Sequence, residues 1–542
     1  MSLNYNRTLV EVFSESCKTF ADKNAFTCME RTLTYAELDR LSARFSAYLQ
    51  QHTALKPGDR IAVQLPNILQ YPVVIFGALR AGLVIVNTNP LYTPHEIKHQ
   101  LNDSGAKALV VLANIAKNAA SIIHKTSVEQ VIVTELADLH SPLKRMLLNF
   151  AVKHLKKMVP PFEFPQQIEF NKALALANKP WQPVVQTPDD VAVLQYTGGT
   201  TGVAKGAMLT HRNLVANLVQ LNERMKDVFR PGQELYVAPL PLYHIYSFTI
   251  HCTSAMALGN HSLLIPNPRD IPGFVKTLQG KKFTFFVGLN TLFNALLRNP
   301  DFCKLDFSHL RLTCAGGMAL TKETSKHWVE LTNAPLSEGY GLTETSPVVS
   351  NNPLTNVQYG TIGIPLIDTF CKVIDDAGNT LAVDEAGELC VKGPQVMKGY
   401  WQRPEATADV IDADGWFKTG DIATIQADGY IKIVDRKKDM INVSGFKVFP
   451  NEVEDVLSSH PDIVEVAVVG VPDEQGGEAV KAFIVTANEQ LTIEQIRKFA
   501  KETLTAYKVP HLIEFRKELP KTNVGKILRR ELRDQELAKV KK

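Results

Sequence analysis

Short runs of β-branched and other apolar residues alternate with stretches of helical periodicity along most of the chain. Residues 60–65 (Arg-Ile-Ala-Val-Gln-Leu) read as a strand, and residues 70–81 as the helix that follows it. The next strand lies over 82–86, then a helix over 95–104 and a strand over 108–112. Apolar runs of this length flanked by helices suit parallel strands covered on both faces. The first ~430 residues are therefore expected to form stacked mixed α/β sheets.

The pattern changes after residue 380. Short strands over 379–381, 387–391 and 429–434 are set among the turn pairs Asp414-Gly415 and Asp428-Gly429. That spacing predicts a small antiparallel or β-barrel-like subdomain over 380–434. The charged block Asp435-Arg436-Lys437-Lys438-Asp439 marks a boundary between a domain over 1–434 and another over 440–542. The second domain has its own βαβ-like pattern, with strands over 464–471 and 480–485 and a helix over 493–504. A basic amphipathic helix over 527–541 closes the chain.

Composition narrows the class. The chain has 542 residues, about three to four domains at ~150 residues each. Its 45% hydrophobic and 21% charged content excludes disorder, coiled coil and collagen. Lys+Arg 59 against Asp+Glu 56 gives a net charge of +3, too balanced for a nucleic-acid partner. The 7 cysteines are odd in number and form no C-x-x-C, which fits a reducing cytosol. The N-terminus lacks the apolar core of a signal peptide. The longest uncharged stretch, 61–79, carries Gln64, Pro66, Asn67, Gln70 and Pro72, so it reads as part of a folded core and not as a membrane span. A cytoplasmic protein is expected.

One segment complicates that picture. On a helix over 144–159, Phe150, Leu147, Met158, Ala151, Leu155, Leu148 and Val152 form one face, with Arg145, Lys153, Lys156 and Lys157 opposite. Lys144 and Met146 break the pattern. Such a helix either binds an anionic membrane surface, making the protein peripheral on the inner face of the cytoplasmic membrane, or docks on the protein's own core.

The strongest chemical segment is Tyr196-Thr197-Gly198-Gly199-Thr200-Thr201-Gly202-Val203-Ala204-Lys205-Gly206, entered from an apolar strand over 191–194. Glycines let the backbone fold around a ligand and aim N–H groups at phosphate oxygens, while three threonines and a lysine add donors and charge. A Gly-Thr loop without a ligand is the alternative. The segment is not G-x-x-x-x-G-K-[ST], since Ala204 precedes the lysine and Gly206 follows it. An ordinary P-loop ATPase or kinase is thereby disfavoured.

This loop resembles the phosphate loop of adenylate-forming enzymes, the superfamily of acyl-CoA synthetases, peptide-synthetase adenylation domains and luciferases. Five further segments of that pattern follow in the family's order: Leu240 to Tyr246, Glu338 to Thr345, Thr419-Gly420-Asp421, the 435–439 block, and Pro520 to Lys526. Within the superfamily the chain most closely resembles bacterial long-chain fatty-acid–CoA ligases of fatty-acid uptake and activation for β-oxidation. That likeness runs along nearly the whole chain and includes Val86 to Pro94 and Pro268 to Gly273. Gly199 departs from the Ser or Thr often held there elsewhere in the superfamily, so one hydroxyl fewer reaches the phosphates.

The resemblance implies ATP, CoA and a fatty acid as substrates and Mg²⁺ as cofactor. Thr197, Gly198, Gly199, Thr200, Thr201, Gly202 and Lys205 would hold the phosphates, and Glu344 with Thr201 would hold Mg²⁺ through oxygen. Tyr340, between Gly339 and Gly341, would offer adenine a flat face with an open approach. Gly316 and Gly317 would form the opposite wall, and Glu338 and Thr343 would belong to the same nucleotide site. Asp421 would accept from the ribose hydroxyls, with Arg436 assisting. His244 would contact the reacting carboxylate, and Tyr243 and Tyr246 would gate the acyl tunnel. Lys526 would supply charge for adenylation, whereas Ser444, Gly445, Phe446 and Lys447 would meet CoA. The small α+β C-terminal domain would be mobile, turning about Lys438 as hinge.

Several alternatives stand beside those roles. His244 could be a core histidine, Tyr243 and Tyr246 could simply pack, Glu344 could be a solvated loop carboxylate, and Asp421 could serve turn chemistry alone. A ligase for medium-chain or aromatic acids on the same scaffold remains the runner-up. A catalytically silent acyl-nucleotide-binding homologue is disfavoured by the intact Lys526, Glu344 and Asp421. The oligomeric state is open between monomer and homodimer.

Overall fold

The computed structural model describes residues 3–197, 204–443, 446–473, 477–522 and 527–540. Threonine and glutamate set many of the helix starts. Thr8 with Glu11, Thr34 with Glu37 and Thr93 with Glu96 each close a reciprocal capping box, which ends the preceding extended segment at a fixed residue.

Two large sheets carry the N-terminal part. The first has seven strands in the order Gln167–Glu169, Gln130–Thr134, Ala106–Leu112, Arg60–Gln64, Val84–Asn87, Val191–Thr197 and Lys205–Thr210. All neighbours are parallel except the last pair, a hairpin. The second has nine strands and includes Leu235–Ala238, Phe285–Gly288, Leu312–Ala315, Leu336–Gly341 and Val348–Asn351. One continuous core takes Val63 and Val193 from the first sheet, Phe26 and Leu264 from the second, and apolar faces of helices Leu9–Thr19, Tyr35–His52 and Gln70–Arg80. The stacking expected from sequence is therefore made through shared helices.

Strands Phe370–Ile374, Gly387–Lys392, Phe417–Ile425 and Ile431–Arg436 form an antiparallel meander. Its last strand exchanges backbone hydrogen bonds with Ile362 and Gly363, which joins the meander to the segment entering the nine-stranded sheet. Among the described residues its first and last strands do not pair, so the sheet is open and not a closed barrel. Residues 379–381 do not form the expected strand. Only Thr380 bridges to Ile374, because tight turns around Asp375 and Glu385 leave no room for a ladder.

The C-terminal part has a three-stranded sheet of Ile463–Pro472, Glu478–Thr486 and Leu512–Phe515. The last two strands are parallel, with helix Ile493–Lys501 between them in sequence. Helix Arg529–Val540 ends the fold, starting two residues later than its periodicity predicts. Among the described residues, no helix is long and apolar enough to cross a membrane.

Candidate active site

The phosphate-loop candidate hangs from a hairpin. Thr197 and Lys205 face each other at its open end, as do Tyr196 and Gly206 one step back. Gly198, Gly199, Thr200, Thr201 and Gly202 lie outside the described residues. The Lys205 ammonium sits 5.0 Å from the centre of the Tyr400 ring. The Tyr196 hydroxyl donates to Asp103 at 2.7 Å, and Arg403 pairs with the same carboxylate.

Strand Leu336–Gly341 brings the Glu338-to-Thr345 motif to the rim of the nine-stranded sheet, and Glu344 follows in the single turn Thr343–Thr345. Glu344 is not a solvated loop carboxylate: it is 9% exposed. Its Oε1 accepts the Tyr400 hydroxyl at 2.7 Å, and its backbone carbonyl accepts Met397 N–H at 2.7 Å. Burial raises its pKa, and the Tyr400 bond opposes the rise. Tyr400 thus ties a buried carboxylate to the lysine of the phosphate hairpin. Residue spacing alone had not marked it.

The nucleoside candidates converge. The Tyr340 hydroxyl donates to Asp421 Oδ2 at 2.5 Å, and Arg436 Nε lies 3.3 Å from Asp421 Oδ1. Asp421 and Arg436 are direct cross-strand partners, and Asp421 is buried. Thr419 Oγ1 accepts the Asp421 N–H, so turn chemistry operates here together with the side-chain links. Gly339 faces Asn351 and Ser350 across the ladder with ordinary space. Gly341 has a different reason from the one expected. A Cβ there would collide with the Pro347 carbonyl, so backbone packing and not ligand access demands the glycine. Glu338 accepts Leu320 N–H at 3.3 Å, and burial pushes its carboxyl up to about 8. Asp455, on C-terminal helix Pro450–Ser458, adds to that rise, which brings this helix near the nucleoside candidates.

The acyl-side candidates adjoin the same place. A Cβ on Gly316 would stand 3.1 Å from Tyr246 Cζ, so the tyrosine ring lies flush against this backbone. Gly317 beside it has φ 81° and open space around it. His244 caps the short helix Ile245–Ser247, its Nδ1 accepting Tyr246 N–H at 3.3 Å. In the neutral ring this puts the proton on Nε2. The Tyr243 carbonyl accepts from Gln195, and burial raises the pKa of both Tyr243 and Tyr246.

The remaining candidates lie on the C-terminal side. Phe446 and Lys447 occupy the second strand of the hairpin Ile441–Val443/Phe446–Val448, while Ser444 and Gly445 lie outside the described residues. Phe446 stacks on Tyr507 at 4.9 Å, and Lys447 reaches Asp376 of the meander at 3.9 Å. Lys437 bridges Asp376 and Glu388, each at 3.1 Å. Burial lowers the pKa of Lys438, and neighbouring Arg436 lowers it further. Arg529, missed in the sequence, sits 3.8 Å from Asp435 and 3.7 Å from Asp439 and pairs with Glu454, clasping the boundary block from the last helix. Lys526 lies outside the described residues. A cavity lined by Thr419, Gly420, Arg436, Lys437 and Lys438 opens beside Asp421.

Taken together, buried carboxylates, an aromatic wall and clustered cations can hold a nucleotide beside a second, apolar reactant. The family model described as AMP-binding enzyme matches residues 13–401, and that for the AMP-binding enzyme C-terminal domain matches residues 452–526. A long-chain-fatty-acid–CoA ligase of Escherichia coli O157:H7 is 52% identical over 537 residues, 98% of this chain and 95% of that one. The anthranilate CoA ligase AuaEII, solved in complex with anthranoyl-AMP, superposes with TM-score 0.86 at 26% identity, covering 99% of both chains. ATP-bound MatB from Rhodopseudomonas palustris superposes with TM-score 0.85 at 28% identity, covering 97% of this chain and 98% of that one.

Proposed function

The chain belongs to the AMP-binding enzyme family, and on that premise we propose that it converts ATP, a long-chain fatty acid and CoA to acyl-CoA, AMP and pyrophosphate. The observation that carries the long-chain assignment is its full-length likeness to the long-chain-fatty-acid–CoA ligase of Escherichia coli O157:H7. It is an ATP-dependent, AMP-forming ligase. A carboxylate oxygen attacks the α-phosphorus, and the bond to pyrophosphate breaks. The CoA thiol then gives up its proton, its sulfur takes the acyl carbon, and AMP leaves.

The residues support that route. The first step brings a carboxylate to a polyanion, so it needs donors and cations around the phosphates. Thr197 to Lys205 and Lys526 supply them. Asp421 holds the ribose hydroxyls, kept in place by Tyr340 and Arg436. Tyr340 also walls the adenine, opposite Gly316 and Gly317. His244, with its ring proton directed to Nε2, donates to the substrate carboxylate.

Mg²⁺ fits the donor set. Mg²⁺ is ordinarily bound through one or two carboxylates and substrate phosphates. Glu344, buried, with the Tyr400 hydroxyl on its Oε1 and a raised pKa, is the carboxylate a hard cation would satisfy. Thr201 is assigned as its second oxygen ligand. When bound, the ion neutralises phosphate charge.

We assign residues 1–434 to the adenylating domain, 435–439 to the hinge and 440–542 to a domain that turns about Lys438. One orientation presents Lys526 for adenylation. The other presents Ser444, Gly445, Phe446 and Lys447 to CoA. The Arg529 clasp on Asp435 and Asp439 supports the hinge assignment, because it ties the block to the last helix. The enzyme is assigned to the cytoplasm, in peripheral contact with an anionic membrane.

The test is CoA-dependent AMP release across straight-chain acids from acetate to oleate, with benzoate and coumarate included. Activity should rise with chain length and peak among long chains. A peak at medium chains or on an aromatic acid would overturn the substrate assignment and leave the family intact.

A further inference from the structure

Helix Pro142–Phe150 and its π-helical continuation Ala151–Leu155 sit on the body with their apolar side outward. Leu143, Met146, Leu147 and Phe150 recur at the spacing of one helical face; the helix ends at Leu155 and not at the expected 159, and Met158 lies beyond it. All six are more than half exposed. Polar groups hold the opposite side to the protein. Lys144 Nζ donates to the Glu30 carboxylate at 2.9 Å and to the Met29 carbonyl at 3.2 Å. Asn149 Oδ1 accepts Ala137 N–H at 3.0 Å. Val152 is the buried apolar anchor of the π-helical turn. Lys144 and Met146, which break the face drawn from sequence, are now explained: the first docks the helix, and the second belongs to the exposed row.

A surface helix ordinarily spends its apolar stripe on the core, and a contiguous exposed stripe marks an interaction site. The charge around this one identifies the partner. Residues 142–158 contain Lys144, Arg145, Lys153, Lys156 and Lys157 and no acid. Lys153, Lys156 and Lys157 are exposed beside the far end of the row. At the near end, Lys276 and Lys281 act on Glu30, which is already neutralised by Lys144. A second copy packed on this face would bring two such basic rims together, so self-association is electrostatically opposed. An anionic lipid surface satisfies both the stripe and the rim.

We propose that residues 142–158 are a monotopic docking element that lays Leu143, Met146, Leu147, Phe150, Leu155 and Met158 into the outer acyl region of a bilayer with anionic headgroups. This deepens the ligase reading by naming the lipid surface and the element that meets it, while its support is exposure and charge alone. Lys153, Lys156 and Lys157 sit at headgroup level and supply the salt-sensitive attraction.

The experiment is flotation of the full chain with vesicles of phosphatidylcholine, with and without phosphatidylglycerol, at low and high salt. The chain should float with the anionic vesicles at low salt and be released by high salt. Lys153→Glu/Lys156→Glu/Lys157→Glu should weaken partitioning about a hundredfold or more, because each lost cation near the surface costs about fivefold. Met146→Ser/Leu147→Ser/Phe150→Ser should abolish it with an unchanged melting temperature, since these side chains are exposed. Phe150→Trp should show a blue-shifted emission on anionic vesicles and quenching by lipids brominated near the headgroup. No flotation at low salt, flotation unaltered in both variants, or a dimer that the serine variant dissociates would each overturn the proposal. Acyl-CoA formation from detergent-dispersed acid is read in parallel. Its loss in the wild-type chain would refute the ligase reading, and its persistence without flotation would refute only the docking element.

Discussion

Tyr400→Phe removes one hydroxyl and leaves the ring over which Lys205 sits, so it isolates the bond to Glu344. That bond is 2.7 Å long and buried, with a carboxylate as acceptor. Hydrogen bonds to charged groups are worth about 1.5–3 kcal/mol, which is ~10- to 100-fold in an equilibrium constant. Without the donor, the Glu344 carboxyl, already raised by burial, rises further. The effect therefore has a sign in pH: the variant should lose most at acidic pH and recover as pH rises and Glu344 ionises. The assay is acid-dependent ATP–pyrophosphate exchange against free Mg²⁺ at several pH values, with calorimetric titration of Mg-ATP beside it. The Mg²⁺ midpoint and the Mg-ATP dissociation constant should both rise by about ten- to a hundredfold at neutral pH. Tyr400→Leu, which also removes the ring, should do worse by loss of the cation–π contact to Lys205. An unchanged Mg²⁺ midpoint with a lowered melting temperature would show that Tyr400 merely packs, and would remove Glu344 from the metal site.

Further outcomes follow from the roles assigned to Lys526 and Gly445 and from the burial of Glu338. Lys526→Ala should lower pyrophosphate exchange by ~10²–10³, the cost of one preorganised charge-stabilising donor, while sparing CoA-dependent consumption of preformed acyl-adenylate. Gly445→Leu should do the reverse, and equal loss of both activities in both variants would refute the turning-domain assignment. Glu338, raised from the ordinary carboxylate range to about 8, contributes stability that is complete below the unfolded pKa and lost as pH rises through about 8. Glu338→Gln, which mimics the protonated group, should flatten the fall in melting temperature across that window; an identical slope in both proteins would contradict the burial of that carboxyl.

Much of the architecture was legible because it follows local rules. The strand expected over 60–65 and the helix over 70–81 appear as Arg60–Gln64 and Gln70–Arg80, since β-branched runs and a continuous apolar helix leave few alternatives. The nucleoside motifs were legible singly. That Tyr340, Asp421 and Arg436 form one bonded chain was not, because Tyr340 lies 81 positions from Asp421 and on a different sheet. Tyr400 escaped notice for the same reason: its partner Glu344 is 56 residues away, and nothing in Gly399-Tyr400-Trp401 announces a role beyond an aromatic pair after glycine. The amphipathic segment shows a subtler limit. Periodicity found only part of the exposed row, Leu147, Phe150, Leu155 and Met158. It put the buried Val152 on that face and left Met146 off it, because the side that docks is set by Glu30 and Ala137, and the Lys144–Glu30 contact spans 114 positions. A hydrophobic face tells which residues share a side of a helix, and only the tertiary contacts tell which side meets the protein.

The chemistry turns on activation of the acid as an acyl-adenylate and not as an acyl phosphate. Oleate labelled with oxygen-18 in both carboxylate oxygens tests it in one turnover with ATP and CoA. One labelled oxygen should appear in the phosphate of AMP and none in pyrophosphate, because the attacking carboxylate oxygen stays with AMP when the thiol takes the acyl group. Label in inorganic phosphate with ADP as coproduct, or unlabelled AMP, would contradict it.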